Sequence, residues 1–254
     1  MDQRLLTLTQ GHIDIRPTGR FVEGGTVTQV PKTIPAEKSE DARQIRGERT
    51  RQALLEAAFD EIHQHGYRAA SLNDILKTAG CTKGSLYHHF PDKHALGLAA
   101  IVDNIDRFME ANWLTPLAKA DNPIDTLLTI LQRHVNGEIL SDVRRGCPMQ
   151  NLSQEMSGLD EDFRTYLNGV HVEWRTAIAD ALRTGQENGQ VRKDISAEAA
   201  ATMIIATHQG TIGLIKTAQC TEVGNLSFEA FYQYLNSLRT TDNSTRGPKE
   251  GLAS

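Results

Sequence analysis

The stretch Ala79-Gly80-Cys81-Thr82-Lys83-Gly84-Ser85-Leu86-Tyr87-His88-His89-Phe90-Pro91-Asp92-Lys93 decides how the chain is read. Thr82 is a short hydroxyl ahead of a run in which Leu86 and Phe90 share one face at i and i+4, so it predicts a helix N-cap. Pro91 ends that run. Upstream, Ser71 followed by Asp74 predicts a second capped helix over 72–78, closed by Gly80. Leu54, Leu55, Ala58, Phe59 and Ile62 repeat at helical spacing before that and stop at Gly66. Two short helices joined by a glycine turn and packed on a longer one are what a helix-turn-helix requires.

The pattern downstream stays helical. Asp92 caps a long helix with the stripe Leu96, Ala99, Ala100, Val102, Ile105 and Phe108, and residues 124–139 are periodic. Phe163, Leu167, Val170, Trp174, Ile178 and Leu182 form another stripe that ends near Gly185 and Gly189. Residues 197–218 are apolar nearly all round, which predicts burial, and Phe228, Phe231, Tyr232 and Leu235 mark a last helix. Strand alternation is not convincing outside the first residues, so the fold class is all-α.

Residues 1–42, with Pro17, Gly19, Gly24, Gly25, Pro31 and Pro35 and no sustained period, predict a mobile tail. A second reading of Arg16, Arg20, Arg43 and Arg46 is a basic arm for a DNA minor groove. The expected organisation is a head over 43–94, a larger bundle over 95–239 and a polar, disordered end over 240–254. Net charge is -5, unevenly spread: residues 43–94 hold eight Lys/Arg against six Asp/Glu, and residues 95–254 hold 14 against 20. An anionic partner is therefore expected for the head alone.

Cys81, Cys147 and Cys220 form an odd set without CxxC spacing, which suits a reducing cytosol better than a disulfide framework. Acidic residues interrupt the first fourteen residues where a signal peptide would be apolar, and apolar runs fall short of a membrane span. A cytoplasmic location, away from membranes, is expected. His63/His65 and His88/His89 are i,i+2 and i,i+1 neighbours that do not face each other on a helix, so neither a metal site nor a cofactor is expected. GxSxG, P-loop, GxGxxG and HExxH patterns are missing, which leaves an enzyme carrying this head as a distant alternative.

The segment from Arg49 to Lys93, with Gly66, Ser71, Ile75 and the quoted stretch in register, resembles the tetracycline-repressor (TetR) family of bacterial transcriptional regulators. The resemblance implies a homodimeric repressor that binds double-stranded operator DNA through its head and a small-molecule effector through its bundle. A regulator that activates, or that binds no effector, is the nearer alternative. The DNA-contact residues expected are Arg49, Thr50, Ser71, Thr82, Lys83, Gly84, Ser85, Tyr87, His88 and Lys93. Thr82, Lys83 and Ser85 stand where a recognition helix enters the groove, and Gly84 admits close approach. His88 lies one turn on. Thr50 and Ser71 are read as hydroxyls at helix starts, where a phosphate is favoured. In the family, the positions matching Tyr87 and Lys93 grip phosphate, and those matching Lys83, Ser85 and His88 help read the operator.

In the bundle, Gly146-Cys147-Pro148-Met149-Gln150-Asn151-Leu152-Ser153-Gln154-Glu155 is similar to a GC-x-x-x-N-L-x-x-E pattern of one branch of the family, some members of which respond to reactive molecules. Pro148 predicts a helix that opens at Cys147. The helix dipole with Arg144 and Arg145 would lower the pKa of that thiol, and burial would raise it, so Cys147 is read as a sensor thiol or as packing. The other candidate effector contacts are Phe108, Trp113, Met149, Met156, Phe163, Tyr166 and Trp174. Helices 197–218 and 227–239, with Gly210 and Gly213 permitting close approach, are the expected dimer surface.

Overall fold

The computed structural model describes residues 36–140 and 142–240, with side chains from Arg43 onward. Of the tail expected over 1–42, residues 1–35, with Arg16 and Arg20, lie outside the described residues, whereas 36–42 are helical; of the polar end expected over 240–254, residues 241–254 lie outside them. Helix α1 runs Ala36–His65, so it begins well ahead of the apolar repeat that opens at Leu54, and Arg43 and Arg46 lie along it. Then follow α2, Leu72–Ala79, and α3, Lys83–His89. Both caps are as read from the sequence: Ser71 Oγ accepts from Asp74 N at 3.3 Å and Thr82 Oγ1 from Ser85 N at 3.2 Å. Gly80 closes α2 in the left-handed conformation at φ 63°, which a side chain would disfavour.

The body is built from α4, Lys93–Met109; a π turn, Glu110–Leu114; α5, Thr115–Ala118; α6, Pro123–Val135; α7, Pro148–Met156; α8, Glu161–Glu187; α9, Ala197–Ala218; and α10, Glu222–Ser237. Among the described residues the extended pairing is a single bridge, Val191 with Arg239, which ties the α8–α9 connection to the end of α10. The fold is all-α.

Two cores meet on α4. Leu96 and Ala100 close the head core with Leu54, Leu55, Ala58, Ile75, Leu86 and Phe90. Ile101, Ile105 and Met109 belong to the body core with Trp113, Leu127, Trp174, Ile178 and Ile204. One helix therefore contributes to both cores. From α4 through the π turn into α5 the inward face is Ile101, Ile105, Met109, Trp113 and Leu117, each four residues after the last. A spacing of four overshoots the 3.6-residue α turn, and the wider π turn takes up the overshoot. Val102, expected in the stripe, is displaced from it by its neighbour Ile101, which is fully buried.

Helix α9 corrects the expectation of burial all round. Ile204, Ile205, Ile212 and Ile215 are buried, yet Met203 and Leu214 are each 52% exposed. On α10, Phe231 and Leu235 face inward, whereas Tyr232, read as one of the apolar stripe, faces outward with Leu226.

Candidate DNA interface and effector cavity

Residues of α3 divide sharply by face. Leu86 and Phe90 are buried in the head core, and Thr82, Lys83, Gly84, Tyr87 and His88 are exposed, with Ser85 half-buried. A Cβ on Gly84 would meet only Thr82 Oγ1, at 3.9 Å, so the outer surface of the first turn is open to close approach. Tyr87 is 55% exposed, a large aromatic ring that the fold itself does not use. Lys93 Nζ donates to Arg68 O at 3.2 Å and lies 5.1 Å from the Tyr67 ring centroid, which fixes the ammonium at the start of α4. Arg49 is exposed on α1.

Thr50 is not where it was expected. It lies inside α1, far from any helix start, and its hydroxyl donates to Arg46 O at 2.9 Å. The helix-start argument for a phosphate contact fails there, because α1 begins many residues earlier. Ser71 and Thr82 keep their positions, and each hydroxyl oxygen retains a free lone pair beside the capped N–H.

A cavity of about 370 Å³ opens between α1, α4, α6, α8, α9 and the start of α7, near the lower end of the size range of ligand pockets. Of the candidate effector contacts, Phe108, Trp113, Cys147, Met149 and Trp174 line it. Met156, Phe163 and Tyr166 do not. Met156 is buried in the general core. Phe163 packs against Tyr67 at 4.7 Å and His94 at 5.6 Å between ring centroids, at the junction of head and body. Tyr166 turns its hydroxyl to Asp106 Oδ1 at 2.8 Å, and burial, with that carboxylate, holds the phenol un-ionised.

Sequence reading missed His134 and His208, which also line the cavity. Their rings stack edge-on at 4.5 Å, with the Nε2 atoms 3.1 Å apart. Burial lowers the His134 pKa to about 4 and holds His208 well below the ordinary value, so both rings are neutral at pH 7. Spacing carried a signal: His134 follows Ile130 and Leu131, and His208 follows Ile204 and Ile205, at i+3 and i+4 on apolar faces.

The family model described as "Bacterial regulatory proteins, tetR family" matches residues 54–100, and "Tetracyclin repressor-like, C-terminal domain" matches residues 123–231. The transcriptional regulator AcuR of Cereibacter sphaeroides is 32% identical over 161 residues, covering 63% of this chain and 74% of its own. The chain belongs to the TetR family of transcriptional regulators. A further relative is an uncharacterised HTH-type transcriptional regulator from Lactococcus lactis, 30% identical over 71% of this chain and 90% of its own. The structure of the reduced form of Escherichia coli NemR superposes with a TM-score of 0.64 at 26% identity, over 76% of this chain and 98% of NemR.

In this TetR-family chain the GC-x-x-x-N-L-x-x-E segment joins the cavity wall to the head. Gly146 has φ 82°, and a Cβ there would fall 2.8 Å from Lys216 Cδ and 2.9 Å from Asn151 Oδ1, so the position is closed to larger residues. Asn151 Nδ2 donates to Arg145 O at 2.9 Å and its oxygen accepts from Lys216 Nζ at 2.8 Å. His63 Nε2 of α1 donates to Gly146 O at 2.9 Å, and Arg145 Nη2 donates to Asp60 O at 3.1 Å. At the other end of α7, Glu155 accepts from the backbone N–H groups of Tyr67 and Arg68, the turn that leads into α2.

Cys147 is the N-cap of α7 with Pro148 at the first helical position, as expected. Its electrostatics are the reverse of a reactive thiol. Burial pushes the pKa up, and the backbone N–H groups of Gln150 and Met149 only partly oppose this. Cys220 is exposed and Cys81 half-buried, so of the two readings of Cys147 the resting structure favours packing over a sensor thiol.

Proposed function

We propose that the protein is a homodimeric repressor in the cytoplasm. Two α3 helices bind a pseudo-palindromic operator, and a small molecule in the body cavity releases it. The observation that carries this reading is the continuity between cavity and head. Helix α4 contributes Leu96 and Ala100 to one core and Trp113 follows it into the cavity, while α7 places Cys147 on the cavity wall and Glu155 on the head. A ligand that favours one placement of these helices would shift operator affinity by its differential binding, about 1.4 kcal/mol for each tenfold.

Lys83, Ser85 and His88 are assigned to base edges, with Thr82 and Gly84 at the groove entrance, and Arg49, Ser71, Tyr87 and Lys93 to phosphates. Repression, rather than activation, is supported by the relatives NemR and DhaR, both named repressors. Met203 and Leu214 of α9 with Leu226 and Tyr232 of α10 form the dimer surface, because they are large apolar residues that one copy leaves exposed. Cys147 lines the cavity, but its raised pKa favours a non-covalent effector over a reactive one.

Footprinting on the DNA that flanks the gene tests the reading. Protection of a two-fold symmetric site is expected, relieved by extract or ligand fractions that occupy the cavity. Protection without sequence preference would reject operator recognition, and protection that no fraction relieves would leave a constitutive regulator.

A further inference from the structure

The tautomers of the buried histidine pair follow from their hydrogen bonds. His134 Nδ1 lies 3.0 Å from Ile130 O, and a carbonyl oxygen only accepts, so Nδ1 carries the hydrogen and Nε2 of the neutral ring is a lone pair. His208 Nε2, 3.1 Å from that lone pair, must then donate. This leaves His208 Nδ1 as a bare acceptor, and it has no partner among the described residues although His208 is only 3% exposed. Trp174 Nε1, a donor on a side chain 1% exposed, is likewise buried without a partner. The two rings stand edge to face with centroids 5.6 Å apart, and both line the cavity. Buried polar groups are ordinarily satisfied, and each of these forfeits a hydrogen bond while it is not.

The charges around this pair are balanced. Arg107 and Arg145 line the cavity together with Asp60 and Asp142, and both histidines are neutral. Arg107 is paired with Asp103, and Arg145 donates through Nη2 to Asp60 O while its buried Nε is a third polar atom without a partner. The walls are otherwise apolar, with Trp113 packed 4.6 Å from Trp174 and 5.0 Å from His208 between ring centroids.

We propose that Trp174 and His208 form the head-group subsite of the cavity, for a small apolar molecule whose uncharged group accepts a hydrogen bond from Trp174 Nε1 and donates one to His208 Nδ1, as an alcohol or a primary amide does. The proposal rests on the cavity being the effector site and names the chemistry of its occupant. A carboxylate has no hydrogen for His208 Nδ1, and an ammonium has no acceptor for Trp174 Nε1.

The chain has two tryptophans, Trp113 and Trp174, and both line the cavity, so intrinsic fluorescence of the full-length protein reports occupancy directly. The test titrates benzamide, benzyl alcohol, benzoate, benzylamine and toluene at pH 8, with no DNA present. Benzamide and benzyl alcohol are expected to quench saturably, about tenfold more tightly than toluene, benzoate or benzylamine. In W174F, with Trp113 as reporter, benzamide should weaken about tenfold while toluene changes by less than about twofold. The fluorescence of the variant at rest and its melting temperature establish that it folds, and the ranking of ligands in the wild type stands without it. Benzoate or benzylamine binding as tightly as benzamide, toluene matching benzamide, or a lack of saturable quenching by any probe would overturn the proposal. Quenching as expected with unchanged operator affinity would leave the subsite standing and reject the effector reading instead.

Discussion

The Glu155 carboxylate holds Tyr67 by its backbone N–H at 2.9 Å, across 88 residues of sequence, and holds Arg68 in the same way through its other oxygen. One charged side chain thus fixes the turn between α1 and α2, and α7 carries that charge from the cavity wall. Replacing Glu155 by Ala leaves two N–H groups without their acceptor. A loss of about 1.5–3 kcal/mol is expected in urea denaturation, since hydrogen bonds to ionised groups are the stronger kind. Glu155→Gln should lose less, because it keeps one acceptor oxygen. Equal stability of wild type and Glu155→Ala would show that the carboxylate does not anchor the head.

The histidine pair sets a pH dependence. At pH 8 folded and unfolded chains both hold His134 neutral. As pH falls below 6.5, the unfolded chain takes up a proton that the folded chain refuses until about pH 4, because burial excludes the charge. Stability is therefore present in full above 6.5 and lost progressively toward 4, by on the order of 3 kcal/mol from His134, with His208 acting in the same direction. Urea midpoints measured down this range should fall, and fall less in His134→Gln. A midpoint that holds steady or rises between pH 6.5 and 4.5 would contradict the buried, neutral pair.

Thiol labelling separates the three cysteines. Cys220 is expected to react with a maleimide first, Cys81 more slowly, and Cys147 last, since its side chain is 6% exposed and burial raises its pKa. Peptide mapping after short exposure gives the order directly. Labelling of Cys147 ahead of Cys220 would mean that the α7 start opens in solution and would revive a surface sensor role.

Dimerisation is tested best on residues that one copy leaves exposed. Ile212 is fully buried and lines the cavity, so Ile212→Glu would unfold the body rather than dissociate a dimer. Leu214→Glu or Met203→Glu, each at a position 52% exposed, should give a monomer by light scattering with little change in helix content. A wild-type monomer at micromolar concentration, or a dimer that survives both substitutions, would place the interface elsewhere.

Local chemistry made the head legible in the sequence. Ser71, Thr82 and Asp92 cap helices through N–H groups three residues on, and Gly80 ends α2, so neither depends on distant regions of the chain. Thr50 misled because the residues before it carry little apolar signal, and the helix that contains them was not seen to begin at Ala36.

The cavity was only half legible. Trp113, Trp174, Phe108, Phe163 and Tyr166 are candidates as aromatic residues and Met149 as a flexible one, but side-chain type does not tell a cavity wall from a domain junction. What separates them is phase: the π turn in the α4–α5 rod aims Trp113 at the cavity, and local periodicity does not show that turn. The apolar faces on which His134 and His208 stand show in the sequence, but their pairing does not, because it needs α6 and α9 brought together. The placement of Cys147 at a helix start was legible from Pro148, whereas its burial needs the rest of the body folded over it.

The recognition assignment is tested most directly by anisotropy titrations of a labelled operator duplex at several salt concentrations, using wild type, Lys83→Ala and Lys93→Ala. Lys83→Ala is expected to weaken operator binding at every salt concentration. Lys93→Ala should reduce the slope of log affinity against log salt by roughly 0.9, the loss of one phosphate contact. Unchanged affinity and an unchanged slope in both variants would contradict the placement of α3 and the start of α4 on DNA.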